Sequence, residues 1–274
     1  MKRSFALALG GGGARGIAHI AVLEALDEMG EKPAVVAGTS IGALIGAAYA
    51  SGMSGKEIRR HVIALAHDRG DVFRRLIIAR AGRIANLFSM GFGSATLIDP
   101  EKFCQQFLPE RVPEDFAALE IPLTVIASDL YRRRQVPFSS GALRPALAAS
   151  IALPTVARPV VIDDKVLIDG GATNPLPFDQ LRGRADVIVA VDISGEPSEA
   201  RRDIPNPWEC LLTTVLVMGN AITTEKLKHA SPDLMIRPKV GLFRTLDFFH
   251  ASAILRAAEP AKAEIKDKLA ALLK

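Results

Sequence analysis

The sequence predicts an α/β fold, with a mainly parallel sheet covered by helices on both faces. Three observations carry that expectation. A strand, a turn rich in small residues and a helix occur twice within the first 50 residues. Apolar runs of strand length then recur between helical stretches, and alternation of this kind builds parallel sheets. One of those runs, Val187 to Val191, is apolar at every position, as a central strand buried on both faces requires.

Taken in order, Ser4 to Leu9 (SFALAL) is the first strand and runs into Gly10. From Arg15 to Met29 the apolar positions Ile17, Ile20, Ala21, Leu23 and Leu26 recur at helical spacing. Ala34 to Ala37 is a second strand and Ile41 to Ala50 a second helix, packed closely through small residues. Further strands fit Leu123 to Ala127 and a hairpin of Val160 to Ile162 with Val166 to Ile168. Ser54 to Arg83 is a basic amphipathic helical region, where Arg59, Arg60, Arg74, Arg75, Arg80 and Arg83 interleave with apolar residues. Gly91, Gly93 and Asp99-Pro100 mark a loop at its end. Asn206 caps a helix that runs to Ala230 with Pro207 at its first position, and Ala257 to Lys274 is a closing polar helix.

The 274 residues are 49% hydrophobic and 23% charged, enough for one large core. The expectation is one domain over 1–274: a core at 4–193, a helical basic insertion at 54–98 and a C-terminal helical region at 206–274. No internal repeat or low-complexity linker interrupts it. Cys104 and Cys210 fit neither a metal spacing nor a disulfide framework, and both read as reduced, buried and cytoplasmic. The start, MKRSFALALGGGG, is broken by glycines before it reaches signal-peptide length, so export is not expected. Pro33 to Met53 is apolar enough to suggest a membrane span, but Gly38, Thr39 and Ser40 in its middle favour strand, turn and helix. A net charge of +4 argues against nucleic acid as the main partner, while a local basic patch suits an anionic surface.

The chemistry starts at Ser40. Gly38-Thr39-Ser40-Ile41-Gly42 matches G-x-S-x-G, in which serine sits on a sharp turn between strand and helix and the flanking glycines relieve crowding. The alternative is a serine that merely caps the second helix, which leaves both glycines unexplained. A serine nucleophile needs a base and donors for the oxyanion it creates.

Gly10-Gly11-Gly12-Gly13-Ala14-Arg15-Gly16 occupies the corresponding turn of the first unit. Gly11, Gly13 and Gly16 fit G-x-G-x-x-G, yet no acid ends the second strand to hold a ribose, and no Gly-Lys-Ser/Thr follows for a phosphate loop. Amides at a helix start bind anions, so the oxyanion donors are assigned to Gly11, Gly12 and Gly13, with Arg15 holding the turn.

For the base, His19, His61, His67, His229 and His250 all lie in helical or basic contexts, and none sits in a loop at a strand end. Asp169 does: it ends the hairpin strand in Ile168-Asp169-Gly170-Gly171, where removal from water would raise its basicity. Asp129 and Asp192 also follow strands and are its rivals.

GGGARG, GTSIG and DGG, in this order and with Ser150-Ile151-Ala152-Leu153-Pro154 as an S-x-A-x-P block, resemble the patatin-like phospholipase family, specifically its small bacterial members. The resemblance runs from about Ser4 to Ile193. It implies a three-layer α/β/α fold of the FabD/lysophospholipase-like type and a Ser-Asp dyad without histidine. Ser40 would be the nucleophile and Asp169 the base, with Gly11, Gly12 and Gly13 as oxyanion hole. Arg15, Gly16, Gly38, Gly42, Gly170 and Gly171 would support them. It also implies acyl esters of glycerolipids as substrate, water to hydrolyse the acyl-serine, and no metal or nucleotide cofactor. Gly10 stands where the family often has Asp or Ser.

A lipid substrate makes Ser54 to Arg83 a candidate lid or docking surface, with cations for anionic headgroups beside apolar residues. The expected location is cytoplasmic, peripheral to the inner membrane. Two further readings come from other classes: a nucleotide-binding regulatory protein using the glycine loop, and a catalytically silent scaffold of the same fold.

Overall fold

The computed structural model describes residues 2–79, 98–195, 204 and 206–274. Among them, eight strands form one sheet: β1 (Phe5–Leu9), β2 (Val35–Thr39), β3 (Leu123–Asp129), β4 (Arg134–Phe138), β5 (Val160–Ile162), β6 (Lys165–Asp169), β7 (Val187–Val191) and β8 (Leu234–Ile236). Their order is β5-β6-β3-β2-β1-β7-β8, with β4 paired to β3 off this path. The stretch β3-β2-β1-β7-β8 is parallel throughout, and the pairings of β4, β5 and β6 are antiparallel. Two strands carry no clear sequence signal: β4 is largely exposed and contains Pro137, and β8 is only three residues long.

Side-chain alternation splits the strands between two layers. Phe5, Leu7, Leu9 and Val36 face the larger core. That side is covered by α1 (His19–Met29), α2 (Ile41–Ala50), α6 (Leu143–Ser150), α8 (Ala251–Ala258) and α9 (Pro260–Leu272). Ala6, Ala8, Val35 and Ala37 face the other way, onto Leu176, Phe178 and Leu181, with Leu227 of α7 (Pro207–His229) beyond. Three alanines there let a loop segment lie close on the sheet. The three-layer α/β/α expectation is met, with an unequal pair of outer layers.

Three local readings are corrected. The helix expected from Arg15 begins as a 3₁₀ turn, Gly13–Ala18, before α1 takes over at His19. The closing helix is two, α8 and α9, divided at Pro260, whose missing N–H suits a first helical position. Cys104 is buried as expected, but Cys210 is exposed on the outer side of α7. The basic region forms α3 (Gly55–His67) and α4 (Arg69–Ile78), followed by α5 (Pro100–Phe107). Arg80, Arg83, Gly91 and Gly93 lie outside the described residues. No helix among the described residues is long and apolar enough to cross a membrane.

Candidate active site

β2 stops at Thr39 and α2 starts at Ile41, so Ser40 alone makes the turn, with φ 54 and ψ −124. A side chain at positive φ carries strain of about 1–2 kcal/mol, so the surroundings must hold it. The flanking glycines allow the approach: a Cβ on Gly38 would stand 2.6 Å from Ala43 Cα, and one on Gly42 would stand 2.3 Å from the Leu9 carbonyl oxygen. The Ser40 main-chain N–H donates to Ser150 Oγ at 2.9 Å, and that hydroxyl donates onward to the Ile126 carbonyl at 2.6 Å. Ser150, wholly buried at the end of α6, therefore clamps the strained residue to β3. Ser40 stands at the helix-cap position, yet its side chain caps nothing. Its hydroxyl donates to Asp169 Oδ2 at 2.6 Å instead.

Strand register explains the meeting. Thr39 of β2 pairs with Ile126, and the next residue of β3, Ala127, pairs with Asp169 of β6. The carboxyl ends of β2 and β6 thus converge on neighbouring residues of one strand. Gly170 passes so close to β3 that a Cβ would lie 2.1 Å from the Ile126 carbonyl oxygen. The Gly171 N–H donates to Asp169 Oδ1 at 2.7 Å, leaving Oδ2 for the serine. Burial raises the Asp169 carboxyl from 3.8 to about 6, against the opposing pull of the hydrogen bonds from Ser40 and Gly171.

The rivals are engaged elsewhere. Asp129 accepts the Tyr131 and Arg132 main-chain N–H groups, which hold its carboxyl below the ordinary value. Asp192 lines the same cavity but accepts from the Ser194 N–H and from Arg237. His61 also lines it and donates to the Phe107 carbonyl at 2.9 Å. His67 bonds the Ile63 carbonyl, and His229 and His250 lie beside Glu225 and Asp247.

The glycine loop packs directly on the serine, since a Cβ on Gly11 would lie 3.4 Å from Ser40 Cβ. One assignment changes. The Gly11 N–H donates to the Pro175 carbonyl at 2.9 Å, so it is not a free donor. No acceptor among the described residues takes the N–H of Gly12 or Gly13, which have φ values of 158 and 62 and form the cap and first residue of the 3₁₀ turn. Arg15 ties this loop to the C-terminal region by donating to the carbonyl of Phe243, at 2.8 Å, and to the loop after β7 by donating to that of Ser194. Gly16 faces Ile41, where a Cβ would come within 2.2 Å of its side chain.

Ser40, Asp169 and Gly11 to Gly13 open on one cavity of about 480 Å³. Its walls are apolar, with Leu44, Val62, Leu65, Phe103, Phe107 and Leu216 among them. The size is that of a small-molecule site. Residue-by-residue reading missed the roles of Ser150 and Pro175. The S-x-A-x-P block and the proline after Asn174 were the available signals, and both act through groups whose partners lie far along the chain.

A family model described as Patatin-like phospholipase matches residues 7–182. An NTE family protein of Mycobacterium tuberculosis (strain ATCC 25618 / H37Rv), Rv1063c, is 35% identical over 199 residues, 72% of this chain and 51% of that protein. Lysophospholipase NTE1 of Coccidioides immitis (strain RS) is 27% identical over 294 aligned positions, covering 97% of this chain and 18% of that protein. The chain therefore spans about half the length of the first relative and less of the second. Among solved structures, VipD from Legionella pneumophila aligns with a TM-score of 0.52 at 15% identity, over 97% of this chain and 67% of that one. That likeness is one of fold.

Proposed function

The chain belongs to the patatin-like phospholipase family, and on that premise we propose that it is a serine acyl-ester hydrolase acting on fatty-acyl esters of phospholipids or lysophospholipids. The observation that carries this reading is the 2.6 Å hydrogen bond from the Ser40 hydroxyl to Asp169 at the head of an apolar cavity. In the proposed reaction Ser40 Oγ attacks the ester carbonyl carbon while its proton passes to Asp169 Oδ2. The oxyanion is met by the N–H groups of Gly12 and Gly13, which replace the three-amide assignment. Collapse breaks the acyl–oxygen bond, and the departing alcohol takes the proton from Asp169. Water then attacks the acyl-serine, giving its proton to Asp169, and the fatty acid leaves as Ser40 recovers the hydrogen.

The apolar walls suit an acyl chain, and a relative of this chain carries the name lysophospholipase. Val62, Leu65 and Ala66 of α3 and Leu76 of α4 line the cavity, which supports reading this region as a cover over it. Its basic face is partly committed: Arg59 pairs with Glu24, and Arg75 donates to the Gln106 carbonyl. Arg60 is exposed, so the membrane-docking proposal now rests on it.

Ser40→Ala tests the hydrolase. Loss of p-nitrophenyl ester turnover and of fluorophosphonate labelling, with an unchanged circular dichroism spectrum, supports it; full turnover in the variant rejects it. A panel of phospholipids, lysophospholipids and glycerides against wild type and Ser40→Ala then defines the lipid class.

A further inference from the structure

We propose that His19 is a positioning residue for the glycine loop. It holds the Gly10–Gly11 peptide so that the Gly12 and Gly13 amides stay aimed at the oxyanion. The proposal rests on the hydrolase reading above.

His19 is the first residue of α1, fully buried beneath the loop. Side chains on a helix lean toward its N-terminus, and this one leans back to the strand-to-helix turn. Its Nε2 lies 2.8 Å from the Gly10 carbonyl oxygen. A carbonyl can only accept, so Nε2 carries the hydrogen and Nδ1 the lone pair. The same peptide unit is gripped at its other end, where the Gly11 N–H donates to the Pro175 carbonyl. Gly10 in turn donates to Val191 at 3.1 Å, closing a third tie. Two tied glycines thus precede two with untied amides.

Four consecutive glycines need such ties. Glycine loses more backbone freedom on ordering than any other residue, so ordering four in a row is costly. A peptide plane held at both its oxygen and its hydrogen cannot flip, so the direction in which the chain enters Gly12 is set. Packing alone does not ask for histidine here. Nδ1 has no hydrogen-bond partner among the described residues, and an unpaired buried polar atom is unfavourable. Leucine or phenylalanine would fill the space without that cost. The retained imidazole therefore points to its one bond, the bond to Gly10. Burial lowers the imidazole to about 4, despite the Gly10 bond and the Asp192 charge, so the ring stays neutral in neutral solution.

The test compares His19→Leu, which removes the donor, with His19→Gln, whose amide nitrogen reaches the same carbonyl. Removing an oxyanion donor costs about 10²–10³ in kcat, and misaiming two costs on the order of 10–100-fold. His19→Leu is expected to lose that much kcat on p-nitrophenyl esters with KM unchanged, while His19→Gln recovers most of it. Equal kcat in wild type and His19→Leu, or equal loss in Leu and Gln, overturns the proposal. Amide hydrogen exchange over residues 10–16 gives a readout independent of turnover, expected to speed up in the leucine variant and not in the glutamine one. It separates the two readings: if Ser40→Ala leaves hydrolysis unchanged, the hydrolase reading fails, and exchange still decides the role of His19. Should His19→Leu not fold, His19→Asn replaces it, because the shorter amide cannot reach Gly10; wild-type exchange in that variant overturns the proposal as well.

Discussion

Asp169→Asn makes a joint prediction about stability and rate. In the folded protein the Asp169 carboxyl is raised from 3.8 to about 6, chiefly by burial. At 1.36 kcal/mol for each pKa unit, the charged carboxylate is about 3 kcal/mol costlier in the fold than in the unfolded chain. The sign follows from linkage. A raised pKa contributes stability that is complete below 3.8 and is lost as pH rises through about 6. Asparagine does not ionise and can still accept from Gly171. Relative to wild type, the variant is therefore expected to gain up to about 3 kcal/mol at pH 8 and nothing at pH 3.5. For a chain of this size that is a rise of roughly 5–10 °C in Tm at pH 8. Its ester hydrolysis should fall at least about 10³-fold, and wild-type kcat/KM should climb with pH through about 6 as the base ionises. Differential scanning fluorimetry from pH 3.5 to 8, beside initial rates on p-nitrophenyl esters, makes the measurement. A stability difference that does not change with pH, or wild-type activity flat from pH 4.5 to 8, would refute the reasoning.

Ser150→Ala frees the Ser40 N–H and leaves the Ile126 carbonyl without its partner. It should cost about 1–3 kcal/mol of stability in urea melts, and it should lower kcat more than it raises KM. Leu65→Trp fills part of the cavity, so the ratio of kcat/KM for sixteen-carbon over four-carbon esters should drop about 10–50-fold, at ~0.8 kcal/mol for each methylene displaced. Arg60→Glu should reduce co-sedimentation with vesicles rich in phosphatidylglycerol and leave hydrolysis of a water-soluble ester intact; unchanged co-sedimentation would remove the docking proposal.

Which parts were legible in the sequence follows from the range of the interactions involved. The two strand–turn–helix units were visible because their periodicity is local and strong, and Val187–Val191 because a central strand has no polar side. β4 was hidden by its exposure, since RQVPF has neither alternation nor an apolar run. Ser40 and Asp169 stood out through their glycines, which record backbones passing within clashing distance of any Cβ. What sequence could not give was the direction of each amide. Gly11, Gly12 and Gly13 look alike in a string of letters; only the position of Pro175, more than 160 residues on, commits the first of them. The same distance hid the role of Ser150, and the basic stripe read as uniformly available until Glu24 and Gln106 were found to occupy two of its arginines.

Under the proposed mechanism, the two buried titratable groups beside the glycine loop explain why a carboxylate serves where a histidine is usual. Burial disfavours charge in both. For an acid that raises basicity, and Asp169 reaches about 6, close to the ordinary imidazole value of 6.5. For an imidazole it lowers basicity, and His19 falls to about 4. The burial that makes aspartate strong enough to accept a serine proton makes histidine too weak to do so at neutral pH. Each residue is thus used for what burial leaves it. The aspartate can act as a base on Ser40, and the histidine, locked neutral with one N–H, can act only as a donor, to Gly10.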